Sequence, residues 1–328
     1  MKIIFVGDVM LGRLVNEVLK HERPEYPWGD TLNIFKKADL GISNLECVIS
    51  DKGQPWTVTP KVFHFRSDSK NIAVLNKAKI NMVSLANNHV LDYEEEALLD
   101  CLEILDRNNI EHAGAGIDFV DASSPAILEI PIKENAYKVG MIAFTDNEAV
   151  WEALDQPGIF YVPVDLKDKR TQVLMNEVEK TKKDADLLIL SAHWGPNWGY
   201  RPQPNHVFFA QALIDVGADI IFGHSPHVFQ GVEIYKGKPI LYSAGDFIDD
   251  YAVDEVEKND QSFIFELEVT GRSVKGLKLY PTIIRNMQAK KAEEPELKEI
   301  VSKMIELCDE FKTKTTWHDR EKYLEIIL

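Results

Sequence analysis

The stretch Asp219–Asp250, DIIFGHSPHVFQGVEIYKGKPILYSAGDFIDD, decides the fold because it sets two histidines directly behind a strand that reads as fully buried. Ala218 to Phe222 is a short apolar run that ends at a turn residue, the pattern of a strand covered on both faces. Gly223 frees the backbone to turn sharply. His224 and His227 therefore fall on a loop at the strand's C-terminal end, where α/β sheets place ligand-binding groups. Pro226 stiffens the step between the two rings. Taken alone, a His-x-x-His turn is as readily a solvated loop as a site, so the other strand ends must decide.

Outward from this stretch the same arrangement recurs. Ile3 to Val6 is a strand closed by Gly7-Asp8, and Asp39 to Ser43 is a strand followed by Asn44-Leu45-Glu46. Ile80 to Leu85 leads into Asn87-Asn88-His89, with Asp92 three residues on, and Leu187 to Leu190 leads into His193-Trp194-Gly195. Helical patterns stand between them, at Met10 to Lys20, Thr31 to Lys37, Asp68 to Lys77, Glu94 to Asn108, Leu166 to Lys183 and Asn205 to Val216. A single aspartate behind a strand is most often a helix cap. Polar donors at five strand ends point to a site.

The remaining segments carry weaker signals. Ser50 to Phe65, with Gly53, Pro55 and Pro60, reads as a loop with a short hairpin at the sheet edge. Pro125 to Ile130 and Tyr137 to Thr145 read as a hairpin. Phe229 to Tyr235, Pro239 to Ser243, Ser262 to Val269 and Val274 to Tyr280 read as successive strands of a second, mostly antiparallel sheet. Glu294 to Phe311 and Asp319 to Leu328 are charged and amphipathic, which predicts two helices that pack on the body or serve a protein partner. The division expected is one α/β domain over residues 1–285 and a helical appendage over 286–328.

Composition narrows the classes. A net charge of -16 argues against an electrostatic footprint for nucleic acid or an anionic membrane. Cys47, Cys101 and Cys308 are odd in number and widely spaced, so neither a disulfide framework nor a thiolate zinc site is suggested. The apolar run before Gly7 is too short for a signal-peptide core, and no run reaches the roughly 18 residues of a membrane span. The expectation is a cytoplasmic chain with no direct membrane insertion.

Asp8, Glu46, Asn88, His193, His224 and His227 together offer two carboxylates, one amide oxygen and three imidazoles. That set suffices for two divalent ions, and it suits manganese, iron(II) or zinc. Such a pair activates water and clamps the oxygens of an in-line displacement at phosphorus. His89, oriented by Asp92 and with its pKa raised by that carboxylate, is the expected general acid. Arg13, Trp194 and Asp246 are the expected substrate contacts at the mouth.

In their order along the chain, GDVMLGR, SNLE, SLANNHVLD, HWG, GHSPHVFQGVE and GKPILYSAGDF resemble the CapA/PgsA family of bacterial capsule (poly-γ-glutamate) biosynthesis proteins. That family looks like a branch of the calcineurin-like metallophosphoesterases, and the likeness covers roughly residues 1–285. It implies a four-layer αββα sandwich with a metal site at the strand ends. Asp8, Glu46 and His227 would serve one ion and Glu46, Asn88, His193 and His224 the other, with Glu46 as the bridge. It also implies a hydrolase acting on a phosphoester or an anionic polymer in capsule or envelope metabolism, or else a non-catalytic protein that grips such a polymer. Met10 departs from the pattern, standing where metallophosphoesterases usually carry a histidine.

Overall fold

Alternation along the parallel strands builds the layers of this protein, whose computed structural model describes residues 1–132 and 135–328. In the strand Lys2–Val9, Ile4 and Val6 join an apolar core with Val15 and Leu19 of the helix Arg13–Leu19, Leu75 of Ile72–Lys77 and Leu98 and Leu105 of Glu94–Arg107. Ile3 and Phe5, on the opposite face, share a second core with Met141, Ile189 and Phe222 of the other sheet. That sheet sends Ile142, Leu190 and Ile221 the other way, to Leu174 and Val178 of the helix Lys169–Asp184 and to Phe209 and Leu213 of Pro204–Val216. Successive side chains in a strand point to opposite faces, so each sheet is apolar on both faces and needs two covers. The result is the expected helix–sheet–sheet–helix order.

The first sheet has 10 strands. Lys2–Val9, Leu40–Leu45, Ile80–Ser84 and Glu111–Ala113 run parallel, and Gln261–Thr270 and Ser273–Arg285 extend it antiparallel on the other side of Lys2–Val9. The second has 6, in which Asn135–Thr145, Leu187–His193, Ile220–His224 and Lys238–Leu241 run parallel between the antiparallel edge strands Ala126–Ile132 and Val232–Tyr235. The four strands assigned above to one antiparallel sheet are therefore split between two sheets. The chain changes sheet across Tyr242–Gly245, and that crossing is so close that only glycine fits beneath it. A Cβ on Gly7 would lie 1.7 Å from the Gly245 carbonyl oxygen, and one on Gly223 would lie 2.0 Å from that of Tyr242. The crossing delivers Asp246 alongside Asp8 in parallel register.

The C-terminal segment departs from the sequence reading. Glu296–Glu310 is a helix as expected, and it buries Leu297, Ile300, Met304 and Leu307 in the core between the sheets. Asp319 to Leu328 is not helical: Tyr323–Ile326 is a strand paired with Thr315–His318 on one side and Ser273–Arg285 on the other. Leu324 and Ile326 are 0% and 1% exposed. Residues two apart lie on opposite faces of a helix but on one face of a strand. Burying both, at about 1.5–3 kcal/mol each, favours the strand. The hairpin expected within Ser50 to Phe65 is also absent; there Val48–Ile49 pairs in parallel with Arg66–Ser67, and the segment between folds irregularly. No helix among the described residues is long and apolar enough to cross a membrane.

Candidate metal centre

Strand ends of both sheets meet at one buried cluster. A register irregularity between Val6 and Asp8 takes Asp8 out of the alternation that sends Ile4 and Val6 toward the helices. Asp8 then groups with His193 and His224 of the second sheet, and separately with His227 and Asp246, donor atoms in each group lying within 4.8 Å of one another. Asp8 is thus the residue common to both groups. Glu46 stands beside them, with Oε2 3.9 Å from His193 Nδ1 and Oε1 3.9 Å from His89 Nε2. Asn44 ties the two carboxylates together, its Nδ2 donating to Asp8 Oδ1 at 2.7 Å and to Glu46 Oε2 at 2.9 Å. Asn87 holds Asn44 in turn, donating to its Oδ1 at 3.1 Å.

The backbone of the Gly-His-Ser-Pro-His loop is held in unusual geometry, with Ser225 at φ 108° and His227 at φ 58°. Non-glycine residues adopt such angles only where the surroundings enforce them. His227 Nδ1 lies 2.8 Å from Asp246 Oδ1 and 3.8 Å from Asp8 Oδ2. His224 Nε2 lies 2.8 Å from Ser191 Oγ, and its Nδ1 faces His193 Nδ1 at 2.9 Å.

The electrostatics of this cluster are those of a site short of positive charge. Burial, reinforced by Asp8 and Asp246, pushes the Glu46 carboxyl well above its usual range. Burial and then Asp8 do the same to Asp246, and burial raises Asp8. Burial and the neighbouring His224 hold His193 far below an ordinary imidazole, and burial takes His224 down to about 3. His227 is lowered by burial despite Asp8. Crowded carboxylates beside neutral imidazoles are a ligand set for a divalent cation. A second observation agrees: Asp8 Oδ2, Glu46 Oε1, Asn88 Oδ1 and Asp246 Oδ2 are all buried with no hydrogen-bond donor. An oxygen left so costs free energy unless something else coordinates it. The donors present fit a divalent ion.

His89 sits at the edge of the cluster. Its Nδ1 is 2.6 Å from Asp92 Oδ2, which also accepts the Phe65 amide at 2.6 Å. The sequence reading had Asp92 raising the pKa of this ring. In the structure burial outweighs Asp92, and the net shift is downward.

Three further expectations change. Trp194 is not a substrate contact: it is 2% exposed, donates its indole N–H to the Tyr242 carbonyl at 2.9 Å and belongs to the core beneath the outer helices. Alternation explains it, since the residue after His193 must face the other side of the sheet. Asp246 is not at the mouth but fully buried within the donor cluster. Met10 is 0% exposed in the outer core and takes no part in the site, so Asp246 is the donor supplied on the side of His227. The Arg13 side chain is partly exposed, with its guanidinium over Phe63 and Phe65.

Lys61 was missed. Its side chain is 8% exposed, and Nζ reaches the Asn88 carbonyl at 2.5 Å, Glu148 Oε1 at 3.3 Å and Asp92 Oδ1 at 3.4 Å. A lone lysine in an irregular loop carries no sequence signal; its role comes wholly from where Trp56 and Phe65 pin that loop to Asp92. Tyr251, which packs on His227 at 5.3 Å between ring centroids, was missed for the same reason.

Several relatives of this chain are named for polyglutamine, capsule or PGA synthesis. A probable polyglutamine synthesis accessory protein of Mycobacterium tuberculosis is 32% identical over 285 residues, covering 76% of this chain and 74% of that one. The capsule biosynthesis protein CapA of Bacillus anthracis is 29% identical over 253 residues, covering 75% of this chain but only 59% of that protein's length. Among solved structures, a hypothetical protein from Thermus thermophilus superposes with a TM-score of 0.49 at 14% identity, over 86% of this chain and 98% of that one. The bacterial capsule synthesis protein family PGA_cap matches residues 2–251, and the chain belongs to it.

Proposed function

We propose that this chain is a metal-dependent hydrolase that cleaves a phosphoester in the metabolism of a capsule or envelope polymer. The observation that carries the reading is the convergence of the donor-less buried oxygens of Asp8, Glu46 and Asp246 with three neutral imidazoles, beside a His–Asp pair that such a metal site does not itself require. Asp8, His193 and His224 would hold one divalent ion and Asp8, His227 and Asp246 a second, with Glu46 and Asn88 Oδ1 completing the shells. The donor set accepts manganese, iron(II) or zinc. A bound pair supplies water activation and charge neutralisation at phosphorus.

The chain's own groups do the rest. Asp92 Oδ2 accepts the Nδ1 proton of His89 and so fixes the ring, leaving Nε2 turned toward the Glu46 side of the cluster. The ring rests neutral because it is buried. An anionic ester beside it favours the protonated form, so Nε2 takes up a proton with substrate and delivers it to the leaving oxygen. Lys61 Nζ stands 3.4 Å from the other oxygen of Asp92, an ion pair that favours the carboxylate in this orientation.

The test is His89→Ala assayed on an aryl phosphate with manganese. Turnover should fall by roughly 10²–10⁴-fold while manganese content is unchanged. Equal turnover in the variant removes His89 from the chemistry.

A further inference from the structure

Two cations flank the cluster, and they differ in what they have left to offer. Lys61 donates to Asn88 O and Glu148 Oε1 and lies 3.4 Å from Asp92 Oδ1 in an ion pair, so it is a strut tied to the protein rather than a free binding group. Arg13 is different. Its Nε lies 3.4 Å from Asp250 Oδ2, but Nη1 is buried with no acceptor. A guanidinium offers five donors in a rigid fork, and the end away from Nε is the end suited to a planar or tetrahedral anion.

The surroundings hold that fork in place. Phe63, Phe65 and Tyr251 lie 4.5, 5.1 and 5.8 Å from the guanidinium carbon, holding it by their ring faces. Asp250 is fixed in turn by the Leu14 amide at 2.9 Å. Arg13 itself sits at φ 49°, a left-handed angle that a residue with a long side chain avoids unless held. Two of these three rings touch the site: Phe65 packs on His89 at 4.8 Å and Tyr251 on His227 at 5.3 Å. Arg13 is therefore set beside the site with Phe65 between it and His89 and Tyr251 between it and His227, a position suited to hold an anionic group next to the one that reacts.

We infer that Arg13 forms a second anion subsite, and that the substrate carries a carboxylate or phosphate in addition to the phosphoryl group that reacts. This rests on the hydrolase reading for where the reacting group lies. It goes beyond that reading in naming a substrate with two anionic groups. An ester with one anionic group would leave the buried Nη1 unpaired in the complex, so the subsite selects by a hydrogen bond, the kind of contact that discriminates most strongly.

Binding separates the two claims without turnover. The manganese-loaded protein is titrated calorimetrically with methylphosphonate and with phosphonoalkanoates whose carboxylate stands one to four methylene groups from phosphorus. At least one member of the series should bind ten times or more tighter than methylphosphonate. In Arg13→Met that preference should vanish, and in Arg13→Lys, which keeps the charge but loses the fork, it should be partly kept. A series no tighter than methylphosphonate, or a preference that survives in Arg13→Met, overturns the subsite while leaving the metal centre standing. If no phosphonate binds the manganese-loaded protein, the site reading and the subsite fall together. If phosphonates bind with the expected preference but aryl phosphates do not turn over, hydrolysis fails and the subsite stands.

Discussion

Replacing Asp246 by asparagine separates a metal ligand from a structural carboxylate, because the two roles move stability and metal affinity in opposite directions. Asp246 is fully buried, its Oδ2 has no hydrogen-bond donor, and burial together with Asp8 holds its carboxyl far above the ordinary range. With no cation present, the charge is a liability to the fold. The amide introduced by Asp246→Asn would keep the acceptor that faces His227 Nδ1 at 2.8 Å and would offer Asp249, itself pushed up by burial and by Asp246, a donor in place of a rival charge. A buried oxygen without a donor costs about 1–3 kcal/mol, so putting an N–H in the place of Asp246 Oδ2 should stabilise the metal-free protein by about that much. The same change removes a charged oxygen from the Asp8–His227–Asp246 group. Loss of even a supporting contact to a metal ligand weakens affinity by about 10–100-fold, and loss of a ligand should do at least that. The assay is urea unfolding in chelator paired with manganese titration of both proteins. A D246N protein that is less stable without metal, yet binds manganese as tightly as the parent, would refute the assignment.

The pH dependence of metal stabilisation follows from the directions already given. Asp8, Glu46 and Asp246 have raised folded-state pKa values, so the metal-free fold binds more protons than the unfolded chain and loses stability as pH rises above the ordinary carboxylate range. His193, His224 and His227 have lowered values, so stability is also lost as pH falls from about 6.5, continuing for His224 down to about 3. Manganese replaces the carboxylate protons and removes the first loss. The gain in Tm on adding it should therefore grow as pH rises above the ordinary carboxylate range, and a flat or shrinking gain contradicts the account. At the far end of the chain, Leu324→Ala should cost about 2–5 kcal/mol in urea unfolding, as a buried leucine does. A loss under about 0.5 kcal/mol would mean that the tail is not part of the fold.

Much of the site was legible because strand ends announce themselves. A buried apolar run followed by Gly or by a small polar residue fixes where a side chain emerges, and Asp8, Glu46, Asn88, His193, His224 and His227 were placed by that reasoning. The structure brings Asp8, Glu46, His193, His224 and His227 into one cluster and leaves Asn88 Oδ1 buried without a donor. What failed was everything that depended on which way a neighbour turned. Trp194 was read as a surface aromatic because it sits in a Gly-containing loop, but strand parity sends it into the outer core. Asp246 was read as a mouth residue because the crossing at Tyr242–Gly245 has no signature beyond its glycines, and what Gly7 and Gly223 make room for is visible only across two sheets. The last ten residues were read as a helix from their charge. Their period of two is carried by only Leu324 and Ile326, too short a run to outweigh an amphipathic pattern.

The most direct test of the central claim is the metal itself. The protein should be purified without an affinity metal column, dialysed against manganese and then against buffer, and measured by elemental analysis alongside turnover of an aryl phosphate. Two divalent ions per chain with metal-dependent turnover is the predicted result. No retained ion, with no turnover after manganese is restored, would contradict the account.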